Sequence, residues 1–280
     1  MTLPAGASEP RRVGGGDINE AWHVRLNGAE AFVKTRPDAG EGEYALEAAG
    51  LGWLAEPGAL RTPRVIEVAE DYLALEWVAP GRLSATGAEE LGRGLAATHA
   101  AGAPCFGDPG FGGRLGVQAR IGSLRLPNES SEDWVSFYAE RRLLPLARMA
   151  GERHALSAGA ITAVERVCTR LDELAGPAEP PARLHGDLWS GNVHADSEGR
   201  PWLIDPSAYG GHREVDLAML RLFGAPSERV FAAYEEMTPL AEEWRDRVRL
   251  WQLSPLLVHA LLFGGSYCAE AERVVKSYAG

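Results

Sequence analysis

His185-Gly-Asp-Leu-Trp-Ser-Gly-Asn192, "HGDLWSGN", is followed by "LIDPSAYGG" at residues 203–211. The two segments bring Asp187, Asn192 and Asp205 close together around short apolar runs. Three oxygen-bearing side chains at these spacings can bind a hard metal ion, take a proton from a hydroxyl, or cap turns. The order Asp, Asn five residues later, and Asp beyond a strand narrows the choice. In kinase-type phosphoryl transfer the first Asp accepts the proton of the acceptor hydroxyl, and the Asn helps to hold Mg2+. The second Asp holds metal against the β- and γ-phosphates.

An amide in place of a third carboxylate suits a site already crowded with phosphate charge. His185 reads as a brace for the loop, bonded to backbone near Asp205, rather than as a base. Gly186 stands where such loops usually carry Arg, which removes a handle used by phosphorylation-controlled protein kinases. Asp216, within Arg213-Glu-Val-Asp-Leu-Ala, reads as an acceptor for the loop's backbone amides rather than a metal ligand.

Upstream features extend the pattern. Gly14-Gly15-Gly16 lacks Cβ atoms, so its amides can approach phosphate oxygens. Asn19 stands where a Gly-x-Gly-x-x-Gly pattern needs glycine, and there is no Gly-x-x-x-x-Gly-Lys-Ser/Thr of a P-loop. Lys34 ends the apolar run Ala31-Phe32-Val33 on the strand after this turn. A helical carboxylate can fix its ammonium against nucleotide α/β-phosphates; Glu47 and Glu43 are both candidates. Leu75-Glu76-Trp77-Val78 falls where two lobes meet, and the backbone at Glu76 and Val78 can bond an adenine. Trp189, two residues after the base, has two readings: core packing, or a cover for a sugar-like face.

The remaining chain organises around these residues. Residues 20–26 and 29–35 flank Asn27-Gly28, a strong tight-hairpin signal. Residues 40–56 have helical spacing closed by Pro57-Gly58, and 64–69 with 72–78 read as a second hairpin. Ala79-Pro80-Gly81 breaks the pattern. Beyond it, Thr86 with Glu89 resembles a capping box ahead of a helix. Helical spacing follows around Trp134–Leu144, across 161–174 and to the C-terminus, with short strands near Leu184 and 201–204. The expectation is α+β: a small β-rich N-terminal nucleotide-binding lobe (1–78), a hinge (79–82), and a larger, mainly helical catalytic and acceptor-binding lobe (83–280).

Composition limits the function classes. The 280 residues are 45% hydrophobic and 24% charged, an ordinary globular balance. With 28 basic and 39 acidic residues the net charge is −11, against the basic footprint of a nucleic-acid binder. Cys105, Cys168 and Cys268 are far apart and odd in number, which fits a reducing cytoplasm better than a disulfide framework. The start, MTLPAGASEPRR, has no signal-peptide apolar run, and the apolar stretch 253–263 contains Pro255 and His259 and is too short to span a bilayer. A monomer is compatible with all of this.

"HGDLWSGN…IDPSAYGGHREVDLAMLRLFG" resembles the fructosamine kinase (ketosamine 3-kinase) family, in the aminoglycoside phosphotransferase-like branch of the protein kinase-like fold. "GGGDINEAW", "FVKT", "EAAGLGWL", "IGSLRLPN" and "DWVSFYAERRLLPLARMA" are similar to it too, so the likeness runs from about Val13 to Gly264. The match of Glu47-Ala-Ala-Gly-Leu favours Glu47 as the partner of Lys34. Asp17 stands where some relatives carry a cysteine, so thiol regulation of that loop is not implied. The resemblance implies a bilobal kinase-like fold that uses ATP and Mg2+ to phosphorylate the 3-hydroxyl of ketosamines, free or on glycated protein lysines, with release of the amine. Two rivals share the nucleotide site: a kinase for an aminoglycoside, choline or homoserine, and a non-catalytic nucleotide-binding module. A metallohydrolase built on His185, Asp187, His194 and Asp205 leaves Lys34, Glu47 and the glycine loop unexplained.

Overall fold

The computed structural model describes residues 3–280 except 15–18, 37, 112, 114–115 and 225. Gly15, Gly16 and Asp17 therefore lie outside the described residues. The N-terminal part holds β1 (Ala7–Arg12), β2 (Glu20–Leu26), β3 (Ala29–Thr35), α1 (Glu43–Ala55), β4 (Val65–Val68) and β5 (Tyr72–Glu76). The strands form one antiparallel sheet in the order β1-β2-β3-β5-β4. Asn27 and Gly28 both have positive φ (52° and 85°), and Leu26 faces Ala29 across the turn. This is the geometry that Asn-Gly favours in a two-residue hairpin.

Alternation along the strands decides which way Lys34 points. Ala31, Val33, Tyr72 and Ala74 pack with Val24 and Leu26 on one face. Phe32, Leu73 and Leu75 pack with Tyr44 and Leu51 of α1 on the other. With a side-chain period of two, Lys34 follows Phe32 onto the α1 face.

The C-terminal part is mainly helical. It contains α2 (Ala85–Ala100), the hairpin β6 (Gln118–Ile121) and β7 (Leu124–Pro127), and α3 (Trp134–Tyr138). A π-helical turn (Ala139–Leu143) joins α3 to α4 (Leu144–Glu152), and α5 (Ala158–Thr169) and α6 (Leu171–Leu174) follow. Then come β8 (Ala182–Leu184), β9 (Val193–Ala195), β10 (Pro201–Leu203) and β11 (Tyr209–Gly211). The chain closes with α7 (Glu214–Leu222), α8 (Glu228–Met237), α9 (Trp244–Trp251), α10 (Leu253–Phe263) and α11 (Ser266–Tyr278). Two apolar clusters fill this part: one around α3–α5 and α9–α11, the other around α2, α7 and α8. The arrangement is the bilobal, mixed α/β architecture expected.

Several local expectations need correction. The cap of α2 is Ser84, not Thr86: Ser84 is extended (φ −78°, ψ 165°) and its hydroxyl accepts from the Gly87 amide at 2.9 Å. Ser84 is fixed there because its amide donates to the Gly199 carbonyl at 3.1 Å. The helix around residue 140 contains the π turn, which runs into Pro145 at the start of α4; Pro lacks the amide for a regular ladder. The spacing 161–174 breaks at Arg170 into α5 and α6. β1, the β6–β7 hairpin and β11 were not foreseen. β1 is exposed edge strand with Pro10, and β11 is Tyr-Gly-Gly, so neither has a strand-like pattern.

Residues 78–84 lie against the β9–β10 hairpin. The Val78 carbonyl accepts from His194 Nε2 at 3.1 Å, and the Gly81 amide donates to the Ala195 carbonyl at 2.7 Å. No helix among the described residues is long and apolar enough to cross a membrane.

Candidate active site

Lys34 is 5% exposed and forms ion pairs with Glu47 of α1 and with Asp205, whose Oδ1 lies 2.8 Å from Nζ. Glu43 is turned elsewhere, accepting from Arg36 at 2.6 and 2.8 Å. Burial disfavours the Lys34 ammonium, but the carboxylates of Asp205 and Glu47 outweigh it and hold the group above the ordinary lysine range. Burial also opposes ionisation of Asp205, yet Lys34 holds its carboxyl below the usual range. Glu47 goes the other way: burial pushes it up to about 7 despite Lys34, because two carboxylates share one ammonium. Its Oε1 is buried and has no hydrogen-bond partner.

The loop after β8 carries the second cluster. Asp216, fully buried at the start of α7, accepts from the His185 amide at 2.7 Å and the Gly186 amide at 3.0 Å. His99 Nε2 lies 3.3 Å from the same carboxylate, and together these contacts hold it ionised against burial. The His185 ring reaches the Ile204 carbonyl at 2.9 Å, tying the loop to the residue before Asp205. Gly186 has φ +81°, and a Cβ there would fall 2.0 Å from the Ser207 carbonyl oxygen. Arg at this position is therefore excluded by the backbone, not merely missing.

Asp187 is held from one side. Asn192 Nδ2 donates to its carbonyl at 2.8 Å and to Oδ2 at 3.2 Å. Burial, with Asp205 nearby, pushes the Asp187 carboxyl up to about 7 in spite of the Asn192 bond. Asp205 has φ 53°, a left-handed conformation uncommon outside glycine, so its carboxylate is presented on a strained turn.

These residues suit a hard divalent cation. Glu47 and Asp205 share the Lys34 ammonium and Asp187 feels the Asp205 charge, so the three carboxylates with one ammonium carry two uncompensated negative charges when fully ionised. With its amide nitrogen committed to Asp187, Asn192 has its amide oxygen left for a metal, and Asp205 has its second carboxylate oxygen. Two protein oxygens suit Mg2+, which keeps the rest of its shell for water and phosphate.

A cavity of about 670 Å3 joins Lys34, Glu47, Asp187, Trp189, Asn192 and Asp205. Trp189 is 38% exposed, with Phe223 packed edge-on at 6.0 Å between ring centroids. His259 lies 4.7 Å from Phe223, and Phe263 and Tyr267 continue the aromatic wall. His185 and Asp216 stand behind the loop. Glu76 and Val78 do not line the cavity; the Val78 carbonyl is already taken by His194. Gly14 follows Val13, whose amide bonds the Ala21 carbonyl at 3.0 Å, and has open space around it.

The sequence reading missed Asp108, Arg120, Phe223, His259, Phe263 and Tyr267 as cavity residues. One signal was available: His259 and Phe263 are four apart on α10, so they share a helical face. Nothing local distinguishes that face from an ordinary core stripe.

The comparisons agree with this geometry. The family model described as fructosamine kinase matches residues 3–279. A Thermus thermophilus protein named as a probable ketoamine kinase is 38% identical over 264 residues, covering 94% of this chain and 91% of its own. A solved structure from Thermobifida fusca, provisionally described as a fructosamine-3-kinase, superposes with a TM-score of 0.89 at 42% identity, covering 97% of this chain and 93% of that one. An aminoglycoside phosphotransferase solved with ADP and hygromycin B is 17% identical, with a TM-score of 0.63 over 98% of this chain and 95% of that one. At that identity the likeness concerns the protein kinase-like fold.

Proposed function

The chain belongs to the fructosamine kinase family, and on that premise we propose that it uses ATP and Mg2+ to phosphorylate the 3-hydroxyl of ketosamines. It is a phosphotransferase with an alcohol group as acceptor. Its substrates are fructosamine or ribulosamine adducts, on small amines or protein lysines, and the phosphorylated adduct is unstable and frees the amine. The reading rests on one observation above the others: the carboxylate of Asp187 and the indole of Trp189 open into the cavity that also holds Lys34 and Asp205.

Each residue then has a separable task. Lys34, fixed by Glu47, faces the α/β-phosphates, and Gly14, Gly15 and Gly16 bring backbone amides to them. At the hinge, Glu76 and the Val78 amide are the backbone proposed for the adenine, the Val78 carbonyl being taken by His194. Asn192 and Asp205 hold Mg2+, which when bound neutralises phosphate charge. Asp187 accepts the proton of the 3-hydroxyl; a carboxyl lifted to about 7 is a better base near neutral pH than an ordinary aspartate. Asn192 aims that carboxylate, while His185 and Asp216 keep its loop in place. The Trp189 face covers the C–H side of the sugar and leaves the hydroxyls free. The free thiols of Cys105, Cys168 and Cys268 suit a cytoplasmic setting.

The test is an acceptor panel. Fructosyl-lysine, ribulosyl-lysine, choline and kanamycin are each incubated with ATP and Mg2+, and the products are identified by mass spectrometry. Phosphorylated ketosamine in preference to the other two supports the reading. Phosphorylation of choline or kanamycin with every ketosamine ignored overturns it and leaves the fold intact.

A further inference from the structure

Glu43 and Glu47 are one turn apart on α1 and share a face. Glu47 holds Lys34. Glu43 is gripped from two directions, by Arg36 of its own lobe and by Arg120 Nη1 at 3.3 Å. Arg120 lies on β6, in the hairpin that lines the cavity with Gln118, Ile121 and Gly122, and Ile121 shares a small pocket with Val258 and His259 of the aromatic wall on α10. Its Nη2 also donates to the Glu41 carbonyl at 3.2 Å. The side chains of Arg120 and Glu43 are each only 13% exposed, so the contact is sheltered from solvent screening.

Gly40 makes room for this grip. A Cβ at Gly40 would fall 2.2 Å from Arg120 Nη1, inside the space the guanidinium occupies. The same helix is tied to the end of the glycine loop, because the Tyr44 hydroxyl donates to Asn19 Oδ1 at 3.1 Å. The first turns of α1 thus have three tethers, Tyr44 to the loop, Glu47 to Lys34 and Glu43 to the β6–β7 hairpin, while Arg183 holds the far end of the helix at the Trp53 carbonyl.

The geometry points to Arg120 as a positioning residue that couples acceptor binding to the nucleotide grip through α1. By clamping Glu43 and the Glu41 carbonyl, the β6–β7 hairpin sets the rotation of α1 and so the placement of the Glu47–Lys34 pair. An acceptor seated against the hairpin steadies Arg120, and ATP then meets Lys34 in its reactive position. Linkage makes the effect reciprocal: bound nucleotide steadies the hairpin for the acceptor. The inference rests on the reading of Lys34 as a phosphate contact.

Kinetics with fructosyl-lysine and ATP–Mg2+ test it, with a melting curve for every variant. Arg120→Ala should raise the KM for ATP roughly 5- to 10-fold, within the usual range of coupling between sites. Arg36 still neutralises Glu43 in that variant, so melting should be unchanged. Gly40→Ala pushes the guanidinium aside without altering it, and should give the same signature. Arg120→Lys should recover part of the loss. Arg120→Ala added to Glu43→Gln should cost less than Arg120→Ala costs in the wild type, because only the Glu41 carbonyl contact is left to lose. An unchanged KM for ATP in Arg120→Ala, or a rise confined to the acceptor KM, overturns the coupling. Lys34→Ala separates the two levels. If it weakens ATP–Mg2+ binding while Arg120→Ala does not, only the coupling fails; if it binds ATP–Mg2+ like the wild type, both readings fall.

Discussion

The two ends of the cavity are built on different terms. At the phosphoryl end Lys34 and Asn192 are buried, Glu47 and Asp187 are half-buried and Asp205 opens to solvent, and these polar groups bond one another at 2.8–3.2 Å wherever a distance fixes them. At the acceptor end Trp189, Phe223, His259, Phe263 and Tyr267 meet through ring faces and edges at 4.7–6.2 Å between centroids. Phosphate presents the same charge and geometry in every turnover, so few charged groups in rigid positions suffice. A sugar on an amine offers C–H faces and mobile hydroxyls, which broad aromatic surfaces accommodate. The difference teaches that donor and acceptor functions should be separable by mutation.

The largest effect expected is at the point where the two ends meet. Asp187→Asn should lower kcat by ~10²–10⁴-fold, the usual worth of a general base, while calorimetry shows ATP–Mg2+ binding retained. Asp205→Asn should instead lose metal-dependent nucleotide binding. Equal loss of ATP–Mg2+ binding in both variants breaks the proposed division of labour.

Lys34→Ala comes next, on the order of 10²-fold in kcat, because it removes a fixed charge aimed at phosphate. Glu47→Gln should act in the same direction and more mildly. Steady-state kinetics should show the acceptor KM moved in both by no more than the roughly 5- to 10-fold coupling through α1. A large acceptor effect would mean that the two ends do not separate. Trp189→Ala is the mirror experiment: kcat/KM for ketosamine should fall by up to about 10²-fold through lost positioning, with the nucleotide's binding constant unchanged.

The same contrast explains what was legible in the sequence. The phosphoryl cluster comes mostly from short polar motifs on single turns, so Asp187, Asn192 and Asp205 stand out by type and spacing alone. For Lys34, spacing leaves Glu43 and Glu47 both open; the resemblance of Glu47-Ala-Ala-Gly-Leu favours Glu47, and the ion pair is with Glu47. The acceptor wall draws on the end of α7, α10, α11 and the β6–β7 hairpin. Phe223, His259 and Phe263 sit in apolar stretches that read locally as core, Tyr267 lies in a polar one, and only tertiary packing gathers them. Arg120 was invisible for a related reason: its partners Glu43 and Glu41 are nearly eighty residues away. Glu76 and Val78 were placed by lobe order, yet they lie outside the cavity, and the Val78 carbonyl is occupied by His194.

The smallest effect expected is on stability. Burial lifts Asp187 and Glu47 to about 7 in the folded chain, above the ordinary carboxylate values of about 4. The folded state therefore holds more protons between those values. The contribution is fully present below the unfolded pKa and is lost as pH rises through about 7. Protein free of nucleotide and metal should melt at a lower temperature at about pH 8 than at about pH 6 from this source. Asp187→Asn should flatten the dependence and raise the melting temperature at the higher pH by roughly 2–4 °C. Identical pH profiles for wild type and variant would show that this carboxyl is not under the strain described.

The central claim is that one cavity passes phosphate from ATP, held by Lys34 and Asp205, to a ketosamine hydroxyl deprotonated by Asp187. Phosphorus NMR of the wild-type protein with ATP, Mg2+ and fructosyl-lysine tests this most directly. The account predicts a new sugar phosphomonoester resonance that grows in step with ADP, and its absence with Asp187→Asn. Conversion of ATP to ADP and inorganic phosphate with no phosphomonoester, or equal product from the Asp187→Asn variant, would contradict it.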